Sequence, residues 1–214
     1  MKLRIAALIC NWTMGVIVFF NWGRMVFQRT DSGRLSAAGL HTLKYFTVLS
    51  NLLLGIAAFV YALCVLRILL GKAVGIPCTV YQLKYAATVS VGLTFLTVML
   101  FLGPRFGYGA MFQGVNLWFH LLIPLAAIAS FWLLEPDGTL SLQDSMLAVL
   151  PMLLYAIGYI INVLSYGIKP GDFSHDWYGF AQGSLAMAGV AFVVMLLGTW
   201  GIALLVRIVK NRLF

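Results

Sequence analysis

The sequence predicts an all-α protein, a single integral membrane domain built from six transmembrane helices. Of the 214 residues, 62% are hydrophobic and only 9% are charged, and the mean hydropathy is +0.98. About a quarter of the residues in a typical soluble domain are charged. Six runs without charged residues also occur, each long enough for a helix to cross the hydrocarbon layer, which takes roughly 20 residues. They span 5–23, 45–66, 85–104, 106–134, 145–168 and 177–206.

These runs predict helices because a segment in lipid must satisfy its own backbone hydrogen bonds. The alternation typical of membrane β-strands is missing from them. The N-terminal Met1-Lys2-Leu3-Arg4 resembles the start of a signal peptide, but the apolar run is too long and lacks a small-residue cleavage site. We therefore interpret it as the first span. The predicted helices cover about 5–27, 43–70, 83–103, 115–134, 145–166 and 183–208, separated by Gly- and Pro-containing turns such as Gly103-Pro104 and Glu135-Pro136-Asp137-Gly138.

An even number of spans leaves both termini on one side of the membrane, together with the second and fourth connections. We call this side the terminal face, and the other side the opposite face. Basic residues favour cytoplasmic loops. Eight basic residues belong to the terminal face and six to the opposite face, which predicts cytoplasmic termini in a plasma (inner) membrane. The eight are Lys2, Arg4, Arg67, Lys72, Lys84, Arg207, Lys210 and Arg212; the six are Arg24, Arg29, Arg34, Lys44, Arg105 and Lys169.

Polar residues within the spans concentrate near the opposite face. Polar side chains are costly in hydrocarbon and usually face the bundle interior or a water-filled cavity. The half nearer the terminal face, such as 52–66 and 121–134, is nearly all apolar. The pattern predicts a polar pocket with an apolar floor. Its candidate lining is Asn21, Arg24, Lys44, Thr47, Ser50, Asn51, Asn116, His120, Asn162, Ser165, Tyr166, Gln182 and Ser184.

Thr47 and His120 are the candidate chemical pair of this pocket. Each is predicted to lie roughly 6–8 Å below the start of its helix, at about 1.5 Å per residue, and the two helices run parallel. Thr47 shares a helix face with Asn51, and His120 shares one with Asn116, because each pair is four residues apart. Pro124 cannot donate to the carbonyl of His120, so we expect it to kink the helix there.

Structural roles are the alternative for each of these residues. A membrane Thr usually bonds its own backbone or a neighbouring helix, and a buried His can serve as a plain hydrogen-bond partner. The tyrosine stripe Tyr155, Tyr159, Asn162 and Tyr166 could equally serve packing. A zinc site is conceivable because all three histidines belong to the opposite half, yet they lack close ligand spacing. We expect no metal and no cofactor.

Two segments resemble the androgen-induced-protein family of intramembrane threonine hydrolases. Residues 43–51, LKYFTVLSN, are similar to the start of that family's second helix, and residues 116–124, NLWFHLLIP, to its Asn…His…Pro helix. A Tyr-rich fifth helix followed by residues 176–180, DWYGF, resembles its bacterial six-helix members. The resemblance implies hydrolysis of fatty acid esters of hydroxy fatty acids, with Thr47 as nucleophile and His120 as base.

A threonine hydroxyl needs an adjacent base, and the base usually needs an orienting group. The candidates for orienting His120 are Asn116, Asn51, Tyr166, Asp172 and Asp176. Oxyanion donors could be Asn51, Asn162 or Arg24. The leading hypothesis is an intramembrane lipid-ester hydrolase whose partners are an acyl-ester substrate and membrane lipids, with no nucleic acid. The alternative is a non-catalytic carrier or lipid-binding scaffold whose one-sided polar cavity uses the same residues.

Overall fold

The computed structural model describes residues 1–27, 38–169, 171–182 and 184–214. Within these residues, six helices are long and apolar enough to cross a membrane, so the predicted all-α, multi-pass architecture is confirmed. Most helix ends lie within a few residues of the predicted positions. The helices are α1 Lys2–Phe27, α2 Phe46–Leu69, α3 Cys78–Phe106, α4 Val115–Leu133, α5 Leu142–Tyr166 and α6 Leu185–Leu213.

The third helix continues past the predicted turn at Gly103-Pro104, so that prediction was wrong. A π-helical turn at Val98–Leu102 precedes Gly103, and Pro104 then occupies the first turn of the next helical segment, where its missing N–H is tolerated. The chain turns instead at Gly107, whose φ is 86°. Gly103 must stay small because a Cβ there would lie 2.2 Å from the ring of Tyr108.

The bundle is arranged around α3. This helix has the largest buried share of the six and packs against α2, α4, α5 and α6. Helices α1 and α2 are antiparallel neighbours whose register follows from two glycines. A Cβ added to Gly15 would collide with the ring of Phe59, and one added to Gly55 would press against Val18 and Phe19. Small residues at such contacts let membrane helices approach closely.

The outer surface of the bundle is apolar. Large hydrophobic side chains from α1, α5 and α6 are more than half exposed, including Phe20, Leu154, Val190 and Leu197. A soluble monomer rarely exposes such a continuous apolar surface, whereas in a bilayer it meets lipid. The chain is therefore a multi-pass membrane protein, and its polar side chains must be sought inside.

Candidate functional site

The first turn of α2 carries Thr47 and is held by the connection between α5 and α6. The phenol oxygen of Tyr178 accepts the backbone N–H of Phe46 at 3.0 Å and also that of Thr47. The next two amides, those of Val48 and Leu49, donate to the carbonyl of Tyr45. All four N–H groups that a helix start leaves open are thus satisfied. Burial raises the pKa of Tyr178 to about 12, which keeps this phenol neutral at physiological pH.

Asn51 joins this turn to α4. Its side-chain nitrogen donates to the carbonyl of Thr47 at 2.8 Å and to the carbonyl of Phe119 at 3.2 Å. Asn51 is fully buried. One amide group therefore fixes the backbone of Thr47 relative to the backbone beside His120. Because both of its N–H groups are used in this way, Asn51 is no longer available as the oxyanion donor that the sequence suggested.

The imidazole of His120 has a defined orientation. Its Nδ1 lies 2.9 Å from the carbonyl oxygen of Met111, and the side chain is only 7% exposed. A carbonyl can only accept, so Nδ1 carries the proton and Nε2 keeps its lone pair. The orienting group is thus a backbone carbonyl of the segment before α4. None of the five side chains predicted to orient His120 does so in the structure. A backbone carbonyl outside the predicted helices cannot be recognised as a partner from the sequence.

His120 belongs to a π-helical turn. This turn spans Trp118–Leu122 and closes with the N–H of Ile123 donating to the carbonyl of Trp118. Pro124 follows directly, in the first turn of the next α-helical segment. The structure thus has a π-helical turn at the position where Pro124 predicts a kink. Such π turns are frequent at functional sites because they displace a side chain from the regular helical positions.

The hydroxyl of Thr47 differs from the fully buried hydroxyls of the bundle, as does that of the half-buried Thr97. Among the described residues, each fully buried Ser or Thr bonds a partner, whereas the half-buried Thr47 hydroxyl bonds none of them. Thr47 is the second residue of α2, so its hydroxyl has no carbonyl four residues earlier in the same helix. The usual structural role of a membrane Thr is therefore not occupied here.

Asn21, Arg24 and Asn116, three further residues predicted to line the polar pocket, differ in burial. Asn21 is 2% exposed and donates to the carbonyl of Ile17 at 2.9 Å. Arg24 and Asn116 are both half-buried. Their side chains form no hydrogen bond or ion pair with the residues that the structure describes. All three come from the ends of α1 and α4 near the opposite face.

The tyrosine stripe of α5 lies on one face, as predicted, but it binds the α5–α6 connection. Tyr155 accepts from the indole of Trp177 at 3.0 Å, and Tyr159 donates to the buried carboxylate of Asp176. Asn162 donates to the carbonyl of His175 at 2.7 Å. Tyr166 stacks on the ring of His175 and is 59% exposed. Asn162 and Tyr166 thus hold the connection, and the structure gives neither a contact with His120.

A cavity of about 410 Å³ lies between α2 and α5. Its wall is mostly apolar, and Lys44 is its one charged lining residue. The ammonium of Lys44 lies 5.3 Å from the ring centroid of Tyr45 and 5.9 Å from that of Trp177. Neither Thr47 nor His120 lines this cavity, although Ser50 does. The lining residues are Leu43, Lys44, Phe46, Leu49, Ser50, Leu53, Pro151, Leu154, Tyr155, Gly158, Tyr159 and Trp177.

No protein-family model, curated protein or solved structure matches this chain.

A second polar cluster, not predicted from the sequence, is buried toward the terminal face. Glu135 is fully buried, and its Oε1 accepts from Asn11 at 2.8 Å and from Ser130 at 2.7 Å. The ammonium of Lys84, also fully buried, lies 3.2 Å from the same oxygen. This half of the bundle therefore contains a buried polar cluster in addition to the apolar segments 52–66 and 121–134, and the sequence pattern did not predict it.

Asp137 extends this cluster toward the surface. It forms an ion pair with Arg4 at 2.6 Å and accepts a short hydrogen bond from Tyr61. The segment that follows α4 therefore folds back between the helices. The sequence by itself indicates only a turn at Glu135-Pro136-Asp137-Gly138 and counts Lys84 among the basic residues that set orientation. The available signal was the presence of Asn11, Tyr61 and Lys84 within spans.

Proposed function

We propose that this protein is an intramembrane hydrolase of lipid esters in which Thr47 is the nucleophile and His120 the general base. The observation that carries the proposal is the double hydrogen bond of Asn51, which links the Thr47 carbonyl to the helical turn of His120. A nucleophile and its base must be held in a fixed mutual geometry. The similarity of residues 43–51 and 116–124 to the androgen-induced-protein family supports the same pair.

The chemistry follows from the protonation of the imidazole. With Nδ1 donating to Met111, Nε2 is free to take the proton of the Thr47 hydroxyl as the hydroxyl attacks an ester carbonyl. The ester's C–O bond breaks, His120 returns the proton to the leaving alcohol, and an acyl group stays on Thr47. Water then cleaves this acyl-threonine. We further propose fatty acid esters of hydroxy fatty acids, or similar lipid esters, as substrates, and a plasma (inner) membrane location with cytoplasmic termini.

The test is covalent labelling with a fluorophosphonate probe on the purified full-length protein. The proposal expects labelling of the parent at Thr47, confirmed by peptide mass, and none in Thr47→Ala or His120→Ala. Ser50→Ala serves as the matched control, since Ser50 lies one turn away on the same helix and already donates to the Thr47 carbonyl. A parent that remains unlabelled, or labelling that disappears only in Ser50→Ala, would contradict the proposal.

A non-catalytic lipid carrier or scaffold is the second candidate. It is favoured by the cavity between α2 and α5, which neither Thr47 nor His120 lines. Under this hypothesis, a spin-labelled fatty acid would bind with an affinity that Thr47→Ala and His120→Ala leave unchanged and that Lys44→Met weakens. The fluorophosphonate probe would leave this protein unlabelled.

A further inference from the structure

Three buried polar side chains occupy one layer of the bundle near the opposite face. They are Asn21 of α1, Asn51 of α2 and His120 of α4, all at most 7% exposed. The layer lies between two apolar clusters to which all three helices contribute. The cluster on the terminal side contains Val18, Leu54 and Ile123, and the other contains Val48 and Phe119, with Trp22 and Met25 packed against it.

Helical spacing places the three polar residues at the same depth. On α1, Asn21 lies three residues after Val18 and four before Met25; on α2, Asn51 lies midway between Val48 and Leu54. The register between α1 and α2 places Asn21 and Asn51 at the same depth as well. Gly55 packs against Val18 and Phe19, and because the two helices are antiparallel, Asn21 then lies opposite the turn of Asn51. Asn51 donates to the carbonyl of Phe119, the residue before His120, so His120 lies at this depth too.

The layer contains buried polar atoms without partners. The side-chain oxygens of Asn21 and Asn51 are both buried and have no hydrogen-bond partner among the described residues, and the buried indole N–H of the neighbouring Trp22 has none either. Nε2 of His120 is a third acceptor, because the proton resides on Nδ1. Buried polar atoms in native proteins are nearly always bonded, and ordered water bonds those that the protein does not. A water molecule, which both donates and accepts, would satisfy the buried oxygens of Asn21 and Asn51 and could also bond Nε2 of His120.

We infer that this layer binds the water molecule that hydrolyses the acyl-threonine, with Asn21 as its positioning residue. The inference rests on the proposed function. In the resting protein the water donates to the amide oxygens of Asn21 and Asn51. Once Thr47 carries the acyl group, one O–H turns to Nε2 of His120, which takes that proton as the water oxygen attacks the acyl carbonyl. The bond from the acyl carbon to Thr47 Oγ1 breaks, His120 returns the proton to Oγ1, and a fatty acid leaves.

The variant Asn21→Leu tests this role, because leucine has a similar volume but cannot accept. Among the described residues, the side chain of Asn21 bonds only the carbonyl of Ile17 in its own helix, so the substitution removes little else. Ser90→Ala is the matched control: Ser90 is buried on α3 and donates only to the carbonyl of Ala86, four residues earlier. A p-nitrophenyl acyl ester is the substrate, and the protein is the full chain in nanodiscs.

Two kinetic phases separate acylation from hydrolysis. We expect Asn21→Leu to keep the burst of nitrophenol, which reports acylation, while the steady-state rate falls about tenfold, the equivalent of one hydrogen bond. Acylated protein should then accumulate and be visible by intact mass. Equal loss of burst and steady state, or no loss of either, would overturn the inference. A parent without a burst and without fluorophosphonate labelling would instead overturn the proposed function.

The melting temperature tests the bound water without any catalysis. If water fills the layer, Asn21→Leu displaces this water and leaves the oxygen of Asn51 without a donor. The melting temperature should then fall more than in Ser90→Ala. If the layer is dry, the same change removes an unpaired oxygen and should leave the melting temperature equal or higher. A rise would overturn the inference whether or not the parent hydrolyses esters.

Discussion

Lys84 of α3 and Glu135 after α4 form an ion pair in which both side chains are fully buried, with 3.2 Å between Nζ and Oε1. Taking two charges out of water is costly, so neither residue is tolerable there alone. Asn11 and Ser130 supply two further hydrogen bonds to the same carboxylate oxygen. The pair thus joins α1, α3 and α4 at the terminal face, far from the site of Thr47 and His120.

Breaking this pair should destabilise the protein strongly. Glu135→Gln leaves the charge of Lys84 buried and unpaired, which costs about 3–5 kcal/mol. We expect a clear loss of melting temperature in detergent. Adding Lys84→Met should restore most of it, because glutamine still accepts from Asn11 and no charge remains. Lys72→Met, an exposed position on the same face, is the control and should melt with the parent. Additive losses in the double variant would contradict the ion pair.

Thr47 and His120 should act as one unit in ester hydrolysis. Thr47→Ala and His120→Ala are each expected to abolish activity while the melting temperature stays near that of the parent. Because a nucleophile and its base depend on each other, the double variant should lose little more than either single variant. Steady-state rates on a panel of lipid esters measure this. Losses that multiply would mean that the two residues do not cooperate.

The tautomer of His120 can be measured directly. Because Met111 offers only a carbonyl oxygen, Nδ1 should be protonated and Nε2 unprotonated at neutral pH. Nitrogen NMR of protein labelled in the histidine ring distinguishes the two nitrogens, and the His120→Ala spectrum identifies the signal. An Nε2-protonated ring would remove the proposed base from the mechanism.

The phenol of Tyr178 should hold the start of α2 in place. Tyr178→Phe leaves the amides of Phe46 and Thr47 without their acceptor, and we expect a cost of about 1 kcal/mol, comparable to loss of a helix cap. Hydrogen exchange at these two amides should accelerate, and fluorophosphonate labelling of Thr47 should slow. Tyr166→Phe is the control because this phenol is exposed and its ring only stacks on His175. Unchanged exchange in Tyr178→Phe would exclude the capping role.

Topology is tested by reporter fusions. Fusions at residues 75 and 140 should report the cytoplasm, and a fusion at residue 175 the opposite side, because the excess of basic residues lies at the terminal face. Residue 35, the other informative position in the first connection, lies outside the described residues. The reverse pattern would invert the orientation and leave the helix bundle as it is.

The helices were predictable because length and hydropathy alone decide what can cross a bilayer. Thr47 and His120 were singled out from depth, which spacing along a helix preserves. The group that orients His120 was not predictable, since the carbonyl of Met111 is chemically like every other carbonyl. Glu135 was missed for a related reason. Its sequence neighbours are typical of a turn, and only the tertiary fold shows that the segment turns inward.

The position of Lys84 has a consequence for biosynthesis. The ribosome delivers α3 to the membrane before Glu135 reaches it, so the ammonium of Lys84 is at first without its counter-ion. Lys84 is the seventh residue of α3, and a lysine near a helix end can extend its ammonium to the membrane interface. We therefore expect Lys84 to become buried only when α4 and Glu135 join the bundle, which makes this ion pair a late step of assembly.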